Sequence, residues 1–288
     1  MASFDRATII GVGLIGGSLG LALRARHLVQ EVVGVSRAEK TIAAARDRGA
    51  IDRGTVDPMA GVAGADLVIL ATPPDLVVPM AQRVLPYLRP GAVLTDVASV
   101  KAEIVRSVEA LVGPQSRVMF VGGHPMAGTE GRGVTAASAT LFEGTAYLFT
   151  PTPRTDPGTL ERLSALARSL GAAPVTLDPQ DHDRTVALTS HLPYLVAVAL
   201  MGITQTATPA AGPAFLGATR VARSPVELWA QICRLNRESI LGALRVFREE
   251  LTRLEGALGN GDRLTTMLEN ARKARLRLVE PPAPREMT

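Results

Sequence analysis

The glycine pattern near the amino terminus constrains this chain more than any other feature. Residues 8–20 read TIIGVGLIGGSLG, in which an apolar run leads through Gly11-x-Gly13-x-x-Gly16 into a helical pattern. Such glycines allow a tight turn, let the backbone approach a pyrophosphate and let a helix pack closely on a strand, while the helix N-terminus offers N–H groups to the anion. The pattern predicts a dinucleotide site. Its residues are Gly11, Gly13, Leu14, Ile15 and Gly16.

Short apolar runs alternate with helical stretches through the first part of the chain. Because continuous Val, Ile and Leu runs separated by helices are typical of a parallel sheet covered on both faces, we predict a doubly wound α/β domain of the Rossmann type. The predicted strands are Thr8–Val12, Glu31–Ser36, Leu67–Ala71, Val93–Val97, Val118–Gly122, Ala146–Thr150 and Pro174–Leu177. The predicted helices between them are Ser18–Arg26, Ala38–Gly49, Val77–Leu88, Lys101–Val112 and Gly158–Gly171.

The pattern changes after residue 178. Thr152–Pro157 could pass for a linker, but a helix and a strand follow it, so one more βα repeat is the simpler interpretation. Beyond that repeat the strand signals vanish, and a chain of 288 residues is comfortable for two domains. We predict a dinucleotide-binding domain over 1–178 and an all-α helical domain over 179–288, with the active site in the cleft between them. The long helical patterns of the second domain are Asp181–Thr206, Pro225–Leu258 and Asp262–Val279.

Composition excludes several function classes. The formal charge is +4 and the basic residues are mostly spread out, so we expect no nucleic-acid partner. The apolar start lacks the layout of a signal peptide and no transmembrane run is evident, so we expect no membrane partner. Cys233 is the only cysteine, which excludes an intrachain disulfide and fits a reducing, cytoplasmic compartment. We predict no metal site.

The end of the second predicted strand selects the cofactor. An acid about 20 residues beyond the glycines would hold the ribose hydroxyls of NAD, whereas an arginine accepts the extra phosphate of NADP. Here residues 32–37 read VVGVSR, which places Ser36 and Arg37 at this point. We therefore favour NADP, with NAD as the alternative. Thr72 and Pro73 follow another strand at the carboxyl edge of the sheet, where they are expected to pack against the nucleotide.

A histidine follows the strand candidate that ends at Gly122. Residues 122–130 read GGHPMAGTE, which places His124 at the carboxyl edge where the nicotinamide is expected. A histidine there can take or share a hydroxyl proton while hydride leaves the same carbon. His124 is therefore the candidate catalytic residue.

Five motifs resemble those of one enzyme family. GLIGGS, DVASVK (residues 96–101) and GGHPMAGTE occur in this order in the prephenate and arogenate dehydrogenases of tyrosine biosynthesis. Two later segments, SHLPY at Ser190–Tyr194 and TRVARSPVELW at Thr219–Trp229, support the resemblance. It extends from the glycine loop to Trp229 and so covers most of the chain.

The resemblance implies an oxidative decarboxylation. Hydride passes from C4 of a cyclohexadienol ring to the nicotinamide and the ring carboxylate leaves as carbon dioxide, which converts prephenate to 4-hydroxyphenylpyruvate or arogenate to tyrosine. By this resemblance His124 bonds to the C4 hydroxyl, Ser99 hydrogen-bonds nearby, and Arg220 grips a substrate carboxylate. Family members dimerise through the helical part, so a homodimer is expected. The further substrate-binding candidates are His191, Glu130 and Thr219.

Two positions depart from the family pattern. Tyr194 stands where many prephenate-specific members carry a second histidine, and Gly217 stands where many carry an aspartate. These departures leave prephenate and arogenate open, while VVGVSR resembles the arogenate-preferring branch that uses NADP. Trp229 could pack on the helical core or edge the pocket. We expect no regulatory domain after the helical part, so any feedback by tyrosine would act at the active site.

Two rival functions fit the same architecture. Dehydrogenases of β-hydroxy acids or imines tend to use a lysine on a helix of the second domain, where this chain offers only Lys273. A module that senses NADP(H) without chemistry would need neither His124 nor Arg220.

His182, between two aspartates, is interpreted as a residue at the start of a helix.

Overall fold

The computed structural model describes residues 4–129, 131–204 and 210–279. The chain divides into two compact units, Met1–Ile240 and Leu241–Thr288. The first unit holds the whole sheet, the helices that cover it and the first helices of the predicted all-α part. The second unit holds most of the last two helices.

The first unit is built on one eight-stranded sheet. Its strand order is β3-β2-β1-β4-β5-β6-β7-β8. All neighbouring strands run parallel except β6 and β7, which are antiparallel. The order reverses on either side of β1, so the loop after β1 opens into the crevice where such sheets bind ligands. The strands are β1 Arg6–Ile10, β2 Glu31–Val35, β3 Arg53–Thr55, β4 Leu67–Leu70, β5 Val93–Asp96, β6 Met119–Pro125, β7 Ala146–Thr150 and β8 Ala173–Thr176.

Helices cover both faces of the sheet, and each face has its own apolar cluster. One cluster includes Ile9, Leu19 and Phe149, and the other includes Leu70 and Leu94. The prediction of a doubly wound α/β domain followed by helices is confirmed. The helices are α1 Leu14–Ala25, α2 Glu39–Asp47, α3 Pro58–Val62, α4 Pro74–Val84, α5 Ala102–Val112, α6 Pro157–Ser169, α7 Pro179–Val186, α8 Leu192–Ile203, α9 Pro213–Thr219, α10 Val226–Leu235, α11 Arg237–Ala257 and α12 Gly261–Val279.

Two strands differ from the sequence prediction. β3 was not predicted, because its three residues, RGT, contain neither an apolar run nor an alternation. β6 continues three residues beyond Gly122 and pairs with β7, so that His124 lies opposite Leu148 within the strand rather than in the loop after it. The antiparallel partner holds the backbone of His124 in extended geometry.

The long helical patterns are interrupted in the structure. The stretch predicted as one helix from Asp181 is α7, a π-helical turn at Ala187–His191, and α8. The next predicted helix is broken at Asn236, between α10 and α11. The stretch Pro179–Ile203 is long and apolar enough to cross a membrane, a property that it shares with core helices of soluble proteins.

Candidate active site

The glycine loop between β1 and α1 has three glycines, of which two are required by packing and one faces open space. Gly11 has a φ of +103°, and a Cβ there would lie 2.4 Å from the carbonyl oxygen of Ala71. A Cβ on Gly16 would lie 2.1 Å from the carbonyl oxygen of Gly11, so both positions exclude larger residues by packing. No atom of the described residues lies within 4 Å of a Cβ built on Gly13. A side chain at Gly13 would therefore project into open space rather than into the protein.

A cleft of about 330 Å³, here called the nucleotide cleft, opens at this loop. It lies at the carboxyl ends of β1, β2 and β4, as expected for a doubly wound sheet. Leu14, Ile15 and Gly16 form the first turn of α1 beside it. Among the predicted cofactor residues, those that line the cleft are Gly11, Gly13, Ser36, Arg37, Thr72 and Pro73.

Two observations indicate that the cleft suits a phosphorylated nucleotide. The hydroxyl oxygen of Thr72 is buried without a hydrogen-bond partner among the described residues, and buried polar atoms are rarely left in that state. The N-cap residue of α1, Gly13, supplies no side-chain cap, and the first turn carries no acidic residue. The N–H groups at this helix end are thus available to an anion.

A second cluster, here called the histidine site, is centred on His124. His124 Nδ1 lies 2.9 Å from His182 Nε2, and His182 Nδ1 lies 2.8 Å from Asp183 Oδ1. The carboxylate of Asp183 accepts hydrogen bonds from the backbone N–H groups of Lys101 at 2.7 Å and Ala102 at 2.9 Å. The start of α5 therefore anchors a buried chain of two imidazoles and one carboxylate.

The hydrogen-bond chain determines where the protons lie. An ionised carboxylate only accepts, so His182 Nδ1 carries a proton and donates it to Asp183. In a neutral His182 the Nε2 atom is then an acceptor, and His124 Nδ1 must donate to it. His124 Nε2 is left with a free lone pair. The chain thus prepares His124 as a proton acceptor.

Burial and neighbouring charge keep both imidazoles neutral. Burial holds the pKa of His124 well below its usual range, and the neighbouring His182 and the Lys101 ammonium lower it further. Burial also lowers the pKa of His182, although the hydrogen bond to Asp183 opposes that shift. His124 is therefore unprotonated, and able to accept a proton, at neutral pH.

A buried ion pair lies beside the histidines. Lys101 and Asp96 are both fully buried, and the ammonium bonds to the carboxylate. Asp96 also accepts hydrogen bonds from the backbone N–H groups of Ala98 at 3.0 Å and Gly123 at 3.2 Å. Because Gly123 precedes His124, this carboxylate fixes the backbone that carries the histidine. Asp96 and Lys101 are the first and last residues of DVASVK, of which sequence reasoning selected only Ser99.

His182 and Asp183 were the other residues that sequence reasoning did not select as site residues. His182 lies near the start of α7, as interpreted, but it is fully buried and its ring contacts that of His124 edge to face, with 5.1 Å between the ring centroids. In the sequence, the aspartates on either side of His182 were the one feature that could have identified it as a site residue. Only the packing of α7 on α5 decides which of the two acids is buried.

His191 lies at the end of the π-helical turn, next to the hydrogen-bond chain of the histidine site. Its Nδ1 lies 3.2 Å from the Asn236 amide nitrogen, which also donates to the backbone carbonyl of Asp183 at 2.8 Å. The Nε2 atom of His191 is buried and has no hydrogen-bond partner in the described part of the chain, and burial lowers the pKa of His191 to about 4. The ring of His191 meets Trp229 edge to face, and Trp229 stacks on Tyr194 with 3.7 Å between the centroids. Trp229 therefore packs against two residues of the SHLPY motif.

The remaining predicted site residues have different surroundings. Ser99 is half-buried in the loop between β5 and α5, and its hydroxyl has no hydrogen bond within the described part of the chain. Thr219 is buried and donates its hydroxyl to the carbonyl of Phe215 at 2.8 Å. Arg220 is exposed at the start of a 3-10 turn. Glu130 lies outside the described residues. The functional roles of all four stay predictions.

Two family models match nearly the whole chain. The prephenate dehydrogenase nucleotide-binding domain matches residues 19–176, more than half of the chain. The prephenate dehydrogenase dimerization domain matches residues 178–270. The chain belongs to the prephenate dehydrogenase family. The resemblance stated from the motifs is confirmed.

Relatives within the prephenate dehydrogenase family are 30–33% identical to this chain over the aligned residues. Prephenate dehydrogenase of Bacillus subtilis is 32% identical over 259 residues, which cover 87% of this chain and 69% of that protein. Prephenate dehydrogenase from A. aeolicus, in complex with hydroxyphenyl propionate and NAD+, has a TM-score of 0.87 and 30% identity, covering 96% of this chain and 99% of that one. Synechocystis arogenate dehydrogenase has a TM-score of 0.82 and 33% identity, and the match covers 95% of this chain and 100% of that one.

Proposed function

We propose that this chain catalyses the oxidative decarboxylation of a cyclohexadienol of the prephenate or arogenate type, with NADP as its preferred cofactor. The observation that carries the proposal is the chain from Asp183 through His182 to His124, which ends in a free lone pair at the carboxyl edge of the sheet. The nucleotide cleft opens at the same edge, after β1 and β4. A proton acceptor and a nicotinamide site on one edge suit the removal of hydride from a carbon that bears a hydroxyl.

In the proposed reaction one histidine, His124, takes up a proton and later returns it. A bound nicotinamide supplies the hydride acceptor for C4 of the ring. As hydride leaves C4, His124 Nε2 takes the proton of the C4 hydroxyl, and a ring ketone forms. The bond to the ring carboxylate then breaks with loss of carbon dioxide, and its electron pair makes the ring aromatic. The ring oxygen recovers the proton from His124 and leaves as a phenol, so that the imidazole is neutral again.

The hydrogen-bond chain suits both halves of this cycle. Before the reaction it keeps the Nε2 lone pair of His124 free. When His124 holds the second proton, its Nδ1–H still donates to His182, and the positive charge is linked through His182 to the carboxylate of Asp183. A neutral resting imidazole and a stabilised cation are the two requirements for a general base that returns its proton.

We assign substrate contacts to five further residues. Ser99 donates to the C4 oxygen, which its half-buried position and the absence of a hydrogen bond in the described chain support. Arg220 binds a substrate carboxylate, since a fixed guanidinium holds a carboxylate by two parallel hydrogen bonds. The unpartnered Nε2 of His191 supports a polar contact for that residue. Thr219 and Glu130 complete the proposed substrate site on the family resemblance.

The preference for NADP rests on the end of β2. Ser36 and Arg37 line the nucleotide cleft, and its described lining residues include no carboxylate. A ribose that carries a 2′-phosphate gains a cation and a hydroxyl there, while a ribose with two free hydroxyls lacks the acid that would hold it. The alternative is NAD, the cofactor bound in the A. aeolicus relative.

We also propose a homodimer formed through the helical part, divided from the dinucleotide-binding part at residue 178. The boundary is supported by the end of β8 at Thr176 and the start of α7 at Pro179. Dimerisation is supported by apolar side chains that stay exposed on the described helices, among them Met201 and Ile203 on α8 and Leu258 just after α11.

The proposal is tested by assaying the purified protein with prephenate and arogenate, each against NAD and NADP, and following the reduced nicotinamide by absorbance. We expect turnover of at least one substrate, and a higher kcat/KM with NADP than with NAD. Absence of turnover in all four combinations would refute the reaction. A clear preference for NAD would refute only the choice of cofactor.

A further inference from the structure

A second arginine borders the nucleotide cleft. Arg37 comes from the turn after β2, whereas Arg83 lies in the last turn of α4. Both side chains are exposed and both line the cleft. Two elements that are far apart in sequence therefore bring one guanidinium each to the same space.

The described residues contribute no negative charge that neutralises this pair. Among the described residues no acidic side chain lines the cleft, and neither guanidinium forms an ion pair with any of them. By contrast, Arg24 on α1 and Arg53 on β3 pair with Asp52 and Glu31. Two cations that share a cleft without a carboxylate favour an anionic ligand between them.

One contact orients Arg83. Its Nε atom bonds to the sulfur of Met59 at 3.3 Å, and the neighbouring Pro58 lines the cleft. The two terminal amino groups of Arg83 make no hydrogen bond within the described residues. Because Nε is used by Met59, the terminal pair remains for a ligand, and this pair suits two oxygens of one phosphate.

Apolar side chains complete the same cleft. Val56 and Pro58 line it from the segment that leads into α3, and Leu76 and Met80 line it from α4. Flat apolar walls suit a purine ring, and the hydroxyls of Ser36 and Thr41 add donors near Arg37. The cleft thus combines a surface for adenine with two cations for a phosphate.

We propose that Arg83 is a second residue that determines cofactor specificity, binding the 2′-phosphate of NADP together with Arg37. The inference rests on the proposed preference for NADP and adds a recognition residue from a helix outside the β2 turn. Its charge contributes to binding of the phosphate monoester and not to binding of adenine or of the pyrophosphate.

The test measures binding of two nucleotide fragments to the full-length protein by titration calorimetry. The fragments are 2′,5′-ADP, which carries the extra phosphate, and 5′-AMP, which lacks it. We expect Arg83→Gln to weaken 2′,5′-ADP binding about tenfold and 5′-AMP binding less than about twofold, since a charge-assisted bidentate contact is lost only for the monoester. Arg83→Lys should recover part of the loss, because it restores the charge without the bidentate geometry.

Arg46→Gln is the matched control. Arg46 is exposed on α2 and does not line the nucleotide cleft, so this variant removes the same charge and should leave both affinities within about twofold. An equal loss of affinity for both fragments in Arg83→Gln would mean that Arg83 contacts the part of the nucleotide that they share, and would overturn the inference. So would unchanged binding of both.

The wild-type protein separates this inference from the proposed function. If it binds 5′-AMP as tightly as 2′,5′-ADP, the NADP preference and the role of Arg83 both fall, while turnover with NAD would still support the dehydrogenase reaction. If it prefers 2′,5′-ADP and Arg83→Gln keeps that preference unchanged, only the role of Arg83 falls.

Discussion

The nucleotide cleft and the histidine site lie at the same edge of the sheet but are built in opposite ways. The cleft is open, its arginines are exposed, and its loop geometry depends on glycines. The histidine site is buried, and hydrogen bonds between side chains from distant segments hold it together. A site that binds a charged ligand benefits from accessible cations, whereas a site that accepts a proton at neutral pH needs a desolvated imidazole.

Replacing the proton acceptor separates the two sites most strongly. We expect His124→Asn to lower kcat by about 10²–10⁴-fold, because a positioned general base is lost, while the Kd for NADP stays unchanged. Steady-state kinetics and calorimetry measure the two effects. His27→Asn is the control, since His27 is exposed with a φ of +50°, a conformation that Asn tolerates. Unchanged turnover in His124→Asn would remove the mechanism.

Removing the negative charge of Asp183 tests whether the hydrogen-bond chain through His182 prepares His124 as a proton acceptor. We expect Asp183→Asn to lower kcat about 10–100-fold with little change in the substrate KM, because His182 loses the carboxylate that determines its tautomer. Loss of the charged acceptor at the start of α5 should also lower the free energy of unfolding by about 1–3 kcal/mol.

The control for this variant lies on the same helix. Asp178→Asn makes the same chemical change at the exposed N-cap of α7, where Asn caps as well as Asp, so it should leave kcat and stability near wild type. A purely structural role for Asp183 would lower stability but not kcat per folded molecule.

Two glycines of one motif should give different phenotypes. Gly13→Ala has room for its methyl group, so we expect normal stability but binding of NADP weakened by about tenfold, because the methyl enters the space of the pyrophosphate. Gly16→Ala meets backbone at 2.1 Å and should lower the free energy of unfolding by about 1–3 kcal/mol. Equal effects of both variants on stability would contradict this division.

The last prediction concerns the pH dependence that the buried imidazoles add to stability. The pKa values of His124, His182 and His191 are lowered in the folded state, to about 4 for His191. The unfolded chain therefore binds more protons as the pH falls below the ordinary histidine pKa of about 6.5. The free energy of unfolding should then fall, by up to about 1.4 kcal/mol per pH unit for each group.

Urea unfolding at several pH values between about 6.5 and 5.0 measures this slope, in a window where exposed carboxylates stay ionised. His191→Asn should have a shallower slope than wild type because it removes one of the three groups. The same slope in both proteins would show that His191 is not held neutral by the fold.

Local sequence predicted the parts of this protein that depend on the backbone. The order of strands and helices follows from apolar runs and their spacing. Gly11-x-Gly13-x-x-Gly16 predicts its own turn because Gly11 and Gly16 stand where a side chain would collide with backbone. β3 was missed because three residues carry no periodicity, and it forms only because β2 offers a free edge.

The histidine site shows what required the tertiary structure. The sequence by itself identified His124 as a candidate, because it follows an apolar strand, and Ser36 and Arg37 as the cofactor-selecting pair, because they end another. The hydrogen bond from His124 to His182 joins residues 58 positions apart, and the bond from Lys101 to Asp183 joins residues 82 apart. No local pattern encodes such pairings, since they depend on how α7 packs on α5 and β7. The tertiary structure decided that His124 is the base, because its burial and its hydrogen bond to His182 determine which of its nitrogens carries the proton.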